Sequence, residues 1–119
     1  MQKKILIVDD DKGVRAAIRL VCEGMGHEVA EAVNGEDALR SISAGLPDVI
    51  ILDHDMPVMN GLEFYDRFRS DYGQKNIPVV FCSGRQDLYE KIQNKKNEKI
   101  YFLVKPYSIS ILKEIIMHV

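Results

Sequence analysis

Residues 49–61, VIILDHDMPVMNG, constrain the fold of this chain more than any other stretch. Val49, Ile50, Ile51 and Leu52 are consecutive apolar residues that stop abruptly at Asp53. So short an apolar run, bounded by polar and turn residues, reads as a strand buried on both faces. Such a strand needs helices above and below it, and it delivers a carboxylate at its C-terminal end. In open parallel sheets that end is where ligands bind. Beyond it, Pro57 biases Met56 away from helix, and Asn60-Gly61 offers a turn before the next helix.

Three further runs repeat the pattern. Residues 3–8 end on Asp9, Asp10 and Asp11; residues 77–82 end on Ser83-Gly84; residues 100–104 end on Lys105-Pro106. A weaker strand is expected over 28–32. Between these runs the apolar spacing becomes three and four, the period of a helix face. Val14, Ala17, Ile18, Val21, Cys22 and Met25 mark a helix over 12–25, with Asp11 as its N-cap and Gly24 or Gly26 to end it. Ala38, Leu39 and Ile42 mark a second helix over 35–44, and Leu62, Tyr65 and Phe68 a third over 62–71. A polar helix follows over about 85–95. A last one starts at Ser108 with Ile109, Leu112, Ile115 and Ile116 as its stripe. Strand and helix alternate throughout, which predicts parallel strands, right-handed crossovers and a three-layer α/β sandwich. A chain of 119 residues is expected to form one domain, residues 1–119.

Parallel strands place all their C-terminal ends at one edge. Asp9, Asp10, Asp53, Asp55, Ser83 and Lys105 therefore converge there. Carboxylates so close together repel and drift towards protonation unless a cation sits among them. Oxygen ligands without thiol or imidazole favour a hard ion, Mg2+ or Mn2+. Metal, ammonium and hydroxyl together suit a transferring phosphoryl group, whose catalysis is mostly positioning and charge neutralisation. One carboxylate can then act as nucleophile and become an aspartyl phosphate.

The segments IVDDD, ILDHDMPVMNG, VVFCSG and FLVKP, in that order, make the chain similar to the receiver domain of bacterial two-component response regulators. The resemblance covers essentially the whole chain. It implies a flavodoxin-like, doubly wound five-stranded parallel sheet of order 2-1-3-4-5. It implies that Asp53 is the phosphoacceptor, that Asp10, Asp53 and the backbone carbonyl of Asp55 bind Mg2+, and that Asp9 holds the ion through water. Lys105 would contact the phosphoryl oxygens, ahead of a cis bond to Pro106. Ser83 would move to the phosphoryl group and Phe102 would be the aromatic switch. The implied donor is the phospho-histidine of a sensor histidine kinase or a histidine phosphotransfer protein. The implied recipient of the signal is an effector domain or a downstream protein. Such a domain promotes its own phosphotransfer and dephosphorylation and is not otherwise an enzyme.

Departures from the family pattern fall before the fifth strand and at Asp55. The small Gly-Ala pair common before the fifth strand is replaced by Asn97-Glu98-Lys99, and the preceding helix is unusually polar. Asp55 is an acid at a position that, by the same resemblance, faces the phosphoryl group. Alternative readings are a stand-alone phosphate relay or sink, and a small haloacid-dehalogenase-like phosphatase with Asp9 as nucleophile and Asp11 as acid. The latter lacks the Thr or Val usual two residues after the second Asp, where Gly13 stands. His54 adjoins Asp53, but alternation along the strand points it the other way.

Composition narrows the partners. A net charge of -2 offers no electrostatic reason for direct nucleic-acid binding. Cys22 and Cys82 sit in apolar stretches without metal spacing and read as buried free thiols. No apolar run approaches the ~18 residues of a membrane span, and the N-terminus lacks a signal peptide's apolar region, so a cytoplasmic protein is expected.

Overall fold

A computed structural model of the chain describes residues 2–93 and 99–119. Its sheet consists of β1 (Lys4–Val8), β2 (Glu28–Ala32), β3 (Val49–Asp53), β4 (Val79–Ser83) and β5 (Ile100–Val104), all parallel, in the order β2-β1-β3-β4-β5. The helices are α1 (Lys12–Gly24), α2 (Gly35–Ala44), α3 (Gly61–Tyr72), α4 (Gln86–Gln93) and α5 (Ile109–His118). This is the expected doubly wound, flavodoxin-like sandwich.

Alternation within the strands sorts the core into two layers. Leu6, Val8, Ile50, Leu52, Val79 and Phe81 face α2, α3 and α4, where Ala38, Ile42, Phe64, Phe68, Leu88 and Ile92 meet them. Ile5, Ile7, Val49, Ile51, Val80 and Leu103 face α1 and α5, against Ile18, Cys22, Leu112 and Ile116. Every residue of β3 and β4 is buried, as a two-sided apolar strand requires. Both cysteines are free and buried. Burial pushes the Cys22 thiol up to about 11 and that of Cys82 to about 12, so both stay inert.

Helix ends follow local chemistry. The Asp11 carboxylate accepts from the Gly13 and Val14 amides, capping α1. Asn34 caps α2, Ser108 caps α5, and Asn60 with Glu63 forms a reciprocal capping box on α3.

Some details differ from the sequence expectations. In α3 the buried side chains are Phe64, Tyr65 and Phe68, beside Gly61, while Leu62 is only half-buried. Phe64 stacks on Phe68, the i,i+4 neighbour, and that aromatic pair takes the core-facing position. In α5, Ile109 is 61% exposed, because Leu112 is the first residue of the helix to reach the sheet. β4 starts at Val79, after Pro78, which has no amide to donate. The continuation of the fourth helix to Lys95 and the Asn97-Glu98 departure lie outside the described residues.

Candidate phosphoacceptor and cation site

Register brings the site together. Asp53 pairs with Cys82 across β3 and β4, and Ser83 pairs with Val104 across β4 and β5. The Lys105 amide continues this ladder by donating to the Ser83 carbonyl at 3.0 Å. At the other side of β3, Val8 pairs with Leu52, and the Asp9 amide donates to the Ala32 carbonyl at 3.1 Å. The pleat carries Asp9 and Asp53 to the α1/α5 side of the sheet and His54 to the α3 side. There His54 is buried, and its Nδ1 accepts from the Leu62 amide at 3.3 Å. It belongs to the start of α3, away from the acid cluster.

Asp53 is buried at the centre, only 4% exposed. Lys105 Nζ donates to its Oδ1 at 2.7 Å. Burial raises the Asp53 pKa above the ordinary carboxylate range, with the Lys105 hydrogen bond and charge opposing. Burial works against the Lys105 ammonium too, but its bond to Asp53 leaves its pKa above the usual lysine value.

Asp9 is equally buried, and its Oδ1 accepts from the Asp11 amide at 2.9 Å. Burial, followed by the charge of Asp53, drives its pKa up to about 6 against that hydrogen bond. Asp10, exposed at the mouth, completes a group with Asp9 and Asp53 whose ligand oxygens lie within 4.8 Å of one another. The donors are carboxylates, two of them buried and both of those with pKa values raised by burial. That set fits a hard divalent cation such as Mg2+, which would relieve the repulsion.

The remaining predicted residues ring this cluster. Ser83 is fully buried, and its hydroxyl accepts from the Arg85 amide at 3.1 Å. Asp55 is exposed, and its carboxylate lies 3.7 Å from Arg85 Nη1. Phe102, half-buried on β5, meets Tyr89 of α4 edge-on with ring centroids 5.0 Å apart. The Lys105–Pro106 bond is cis, as expected. Asp11 turns its carboxylate to the α1 amides, a helix cap and not the second acid of a phosphatase pair.

Two participants were not apparent from sequence. Gly61 lies against β3: a Cβ there would stand 2.7 Å from the Asp53 carbonyl oxygen and from His54 Cα. Only glycine permits this approach, so the α3 start is packed directly onto the site strand. Arg15 reaches from α1 to donate to the Asp9 carbonyl oxygen at 2.8 Å. In the sequence, Asn60-Gly61 reads only as a turn, and Arg15 is one charge among several on the polar face of a helix.

Fold and site define a doubly wound α/β domain with a cation-ready carboxylate cluster beneath a lysine at its carboxyl edge. The family model of the response regulator receiver domain matches residues 5–117, and this chain belongs to that family, whose members act in two-component signalling. It is 34% identical over 107 residues to the transcriptional regulatory protein PrrA of Mycobacterium tuberculosis, covering 90% of this chain and 45% of that one. It is 34% identical over 113 residues to the chemotaxis protein CheY1 of Helicobacter pylori, covering 93% and 91%. The chain thus spans under half of PrrA and nearly all of CheY1. The structure of the Vibrio cholerae chemotaxis protein CheY4 superposes with a TM-score of 0.87 at 30% identity, over 100% of this chain and 99% of that one. Among the described residues no helix is long and apolar enough to cross a membrane.

Proposed function

We propose that this domain takes a phosphoryl group from a phospho-histidine onto Asp53, in the cytoplasm, with a sensor histidine kinase or a histidine phosphotransfer protein as donor. The observation that carries this is the 2.7 Å contact of Lys105 Nζ on buried Asp53, whose carboxylate is grouped with those of Asp9 and Asp10. A carboxylate so placed touches one cation and lies among the ligands for a second.

An oxygen of Asp53 attacks phosphorus, and the new P–O bond forms as the P–N bond breaks. The histidine nitrogen keeps the electron pair of the broken bond, and its ring leaves neutral when the other nitrogen carries a proton. Lys105 neutralises charge on the phosphoryl oxygens. Asp9, Asp10 and Asp53, with the Asp55 carbonyl, would hold Mg2+, which supplies charge neutralisation when bound. Hydrolysis of the acyl phosphate by water returns Asp53 to its starting state.

Phosphorylation would be read outside the pocket. The dianionic group offers the Ser83 O–H an acceptor for a charge-assisted hydrogen bond, and the hydroxyl that moves to make it draws along the Arg85 amide, which donates to its oxygen. Movement of that loop displaces α4, and with it the Tyr89 edge that packs on Phe102. An effector domain or downstream protein would sense the change.

The test is mass spectrometry of protein treated with acetyl phosphate and Mg2+, then trapped with borohydride. Label is expected on Asp53 and is expected to vanish in Asp53→Asn. Label on Asp9, or undiminished label in the variant, would overturn the assignment.

A further inference from the structure

Arg15 sits on the second turn of α1, and its side chain is only 12% exposed. Its guanidinium is used on two edges. Nη1 donates to the carbonyl oxygen of Asp9 at 2.8 Å, and Nε donates to Glu31 Oε1 on β2 at 2.9 Å. The second Glu31 oxygen is held by Arg19 Nε, and Arg19 Nη1 is also paired with Glu23 at 2.9 Å. The planar fork of arginine suits this use, because one rigid group reaches a carbonyl and a carboxylate in fixed geometry. Lysine, a point charge on a flexible stem, has no second edge to offer.

The carbonyl it grips is not an ordinary one. The oxygen belongs to the peptide joining Asp9 to Asp10, two of the three carboxylates in the cation cluster. That peptide is planar, so fixing its oxygen fixes the plane and the direction in which the chain leaves towards Asp10. The other polar groups of Asp9 are tied as well. Its amide donates to Ala32 and its carboxylate accepts from the Asp11 amide. Asp10 itself is exposed, and no equivalent restraint reaches it from its own side chain among the described hydrogen bonds. The peptide plane is therefore the element through which Asp10 is aimed.

We propose that Arg15, braced by Glu31, is a positioning residue for cation binding: it holds the Asp9–Asp10 peptide so that both carboxylates face Asp53 before any ion arrives. Its contacts link β1, α1 and β2 around the loop that leaves β1. A binding constellation held in advance by such outer contacts loses affinity when they are removed, typically by about 10–100-fold. The inference rests on the cation site described above.

The experiment is calorimetric titration of the whole chain with MgCl2, without phosphodonor. The proteins are the wild type, Arg15→Met, Glu31→Gln and Asp10→Asn, and the melting temperature of each is recorded free of metal. Arg15→Met keeps the aliphatic stem and removes the fork. It is expected to weaken Mg2+ binding by about 10-fold or more, and Glu31→Gln is expected to weaken it less, in the same direction. A lowered metal-free melting temperature in Arg15→Met with a wild-type Mg2+ Kd would overturn the proposal and leave Arg15 a role in stability alone. If Arg15→Met does not fold, Glu31→Gln decides: a weaker Kd supports the brace and an unchanged one overturns it. Asp10→Asn separates the two readings. Wild-type Mg2+ affinity in that variant would sink the cation site itself, whatever Arg15 does.

Discussion

Lys105 Nζ lies 2.7 Å from Asp53 Oδ1, across 52 residues of sequence, and joins the ends of β3 and β5. The two partners differ in surroundings. The Asp53 side chain is 4% exposed and that of Lys105 is 36% exposed. The lysine can therefore leave for a phosphoryl oxygen at modest cost, while the aspartate is left among other acids whenever it does. Lys105→Ala is expected to lower stability at pH 7 by about 1 kcal/mol, at the upper end for pairs with an exposed partner. It is also expected to slow labelling of Asp53 by acetyl phosphate well beyond tenfold. Denaturant titration and a labelling time course check both. Wild-type labelling would make Lys105 only a structural cation.

Mg2+ is expected to raise the melting temperature in a pH-dependent manner. The Asp9 pKa in the folded chain, about 6, lies above the ordinary aspartate value of 3.8. An acid raised in this way costs the metal-free fold stability as it ionises, beginning near pH 4 and complete above about pH 6. The cation relieves that cost and needs the ionised ligand. Its stabilisation should be small at pH 5 and full at pH 7.5, reaching about 2.7 kcal/mol at a hundredfold excess over Kd. Scanning calorimetry at the two pH values is the measurement. Equal shifts at both would remove Asp9 from the site.

Gly61→Ala should be costly although the change is one methyl group. The added Cβ would meet the Asp53 carbonyl oxygen and His54 Cα at 2.7 Å, both backbone atoms of the site strand. Neither can rotate away. The Gly61 amide also donates to the His54 carbonyl at 2.9 Å, which locks the approach. A loss of roughly 1–3 kcal/mol is expected from overpacking, with slower labelling of Asp53 as β3 shifts. An urea midpoint equal to that of the wild type would show that α3 can tilt away freely.

Val58→Gly should act in the opposite sense. Val58 is exposed and has φ 70, a left-handed conformation that β-branched side chains resist. It is the middle residue of a tight turn in which the Met59 amide donates to the Pro57 carbonyl at 2.7 Å. Glycine removes the steric strain but adds freedom to the unfolded chain. A net gain of about 0.5–1 kcal/mol is expected, read as a higher denaturant midpoint with an unchanged slope. A lower midpoint would mean that the turn is not strained by its side chain.

The switch is read by amide chemical shifts with and without beryllofluoride and Mg2+. Changes are expected at Ser83 and Arg85, through the Tyr89 region of α4, and at Phe102. Shifts confined to Asp9, Asp10, Asp53 and their neighbours would leave a phosphate relay or sink as the better reading. Tyr89→Ala should uncouple the two halves, since it removes the ring edge that packs on Phe102.

The fold of this chain is written in local terms. Apolar runs of four to six residues can be satisfied only by a sheet covered on both sides, and helix-period spacing between them supplies the covers. Capping residues such as Asp11 and Ser108 act within four residues of themselves, so their roles are legible without a structure. Convergence of Asp9, Asp10, Asp53, Ser83 and Lys105 follows from parallel topology alone. Distances and orientations do not. Whether Lys105 touches Asp53, whether Ile109 is covered, and how near Gly61 comes to β3 depend on how helices settle on a twisted sheet, which pairs residues tens of positions apart. Arg15 is the clearest case. In the sequence it is one of several charges on a polar helix face, and only the packing of α1 beside β2 brings its two edges to the Asp9 carbonyl and Glu31 at once.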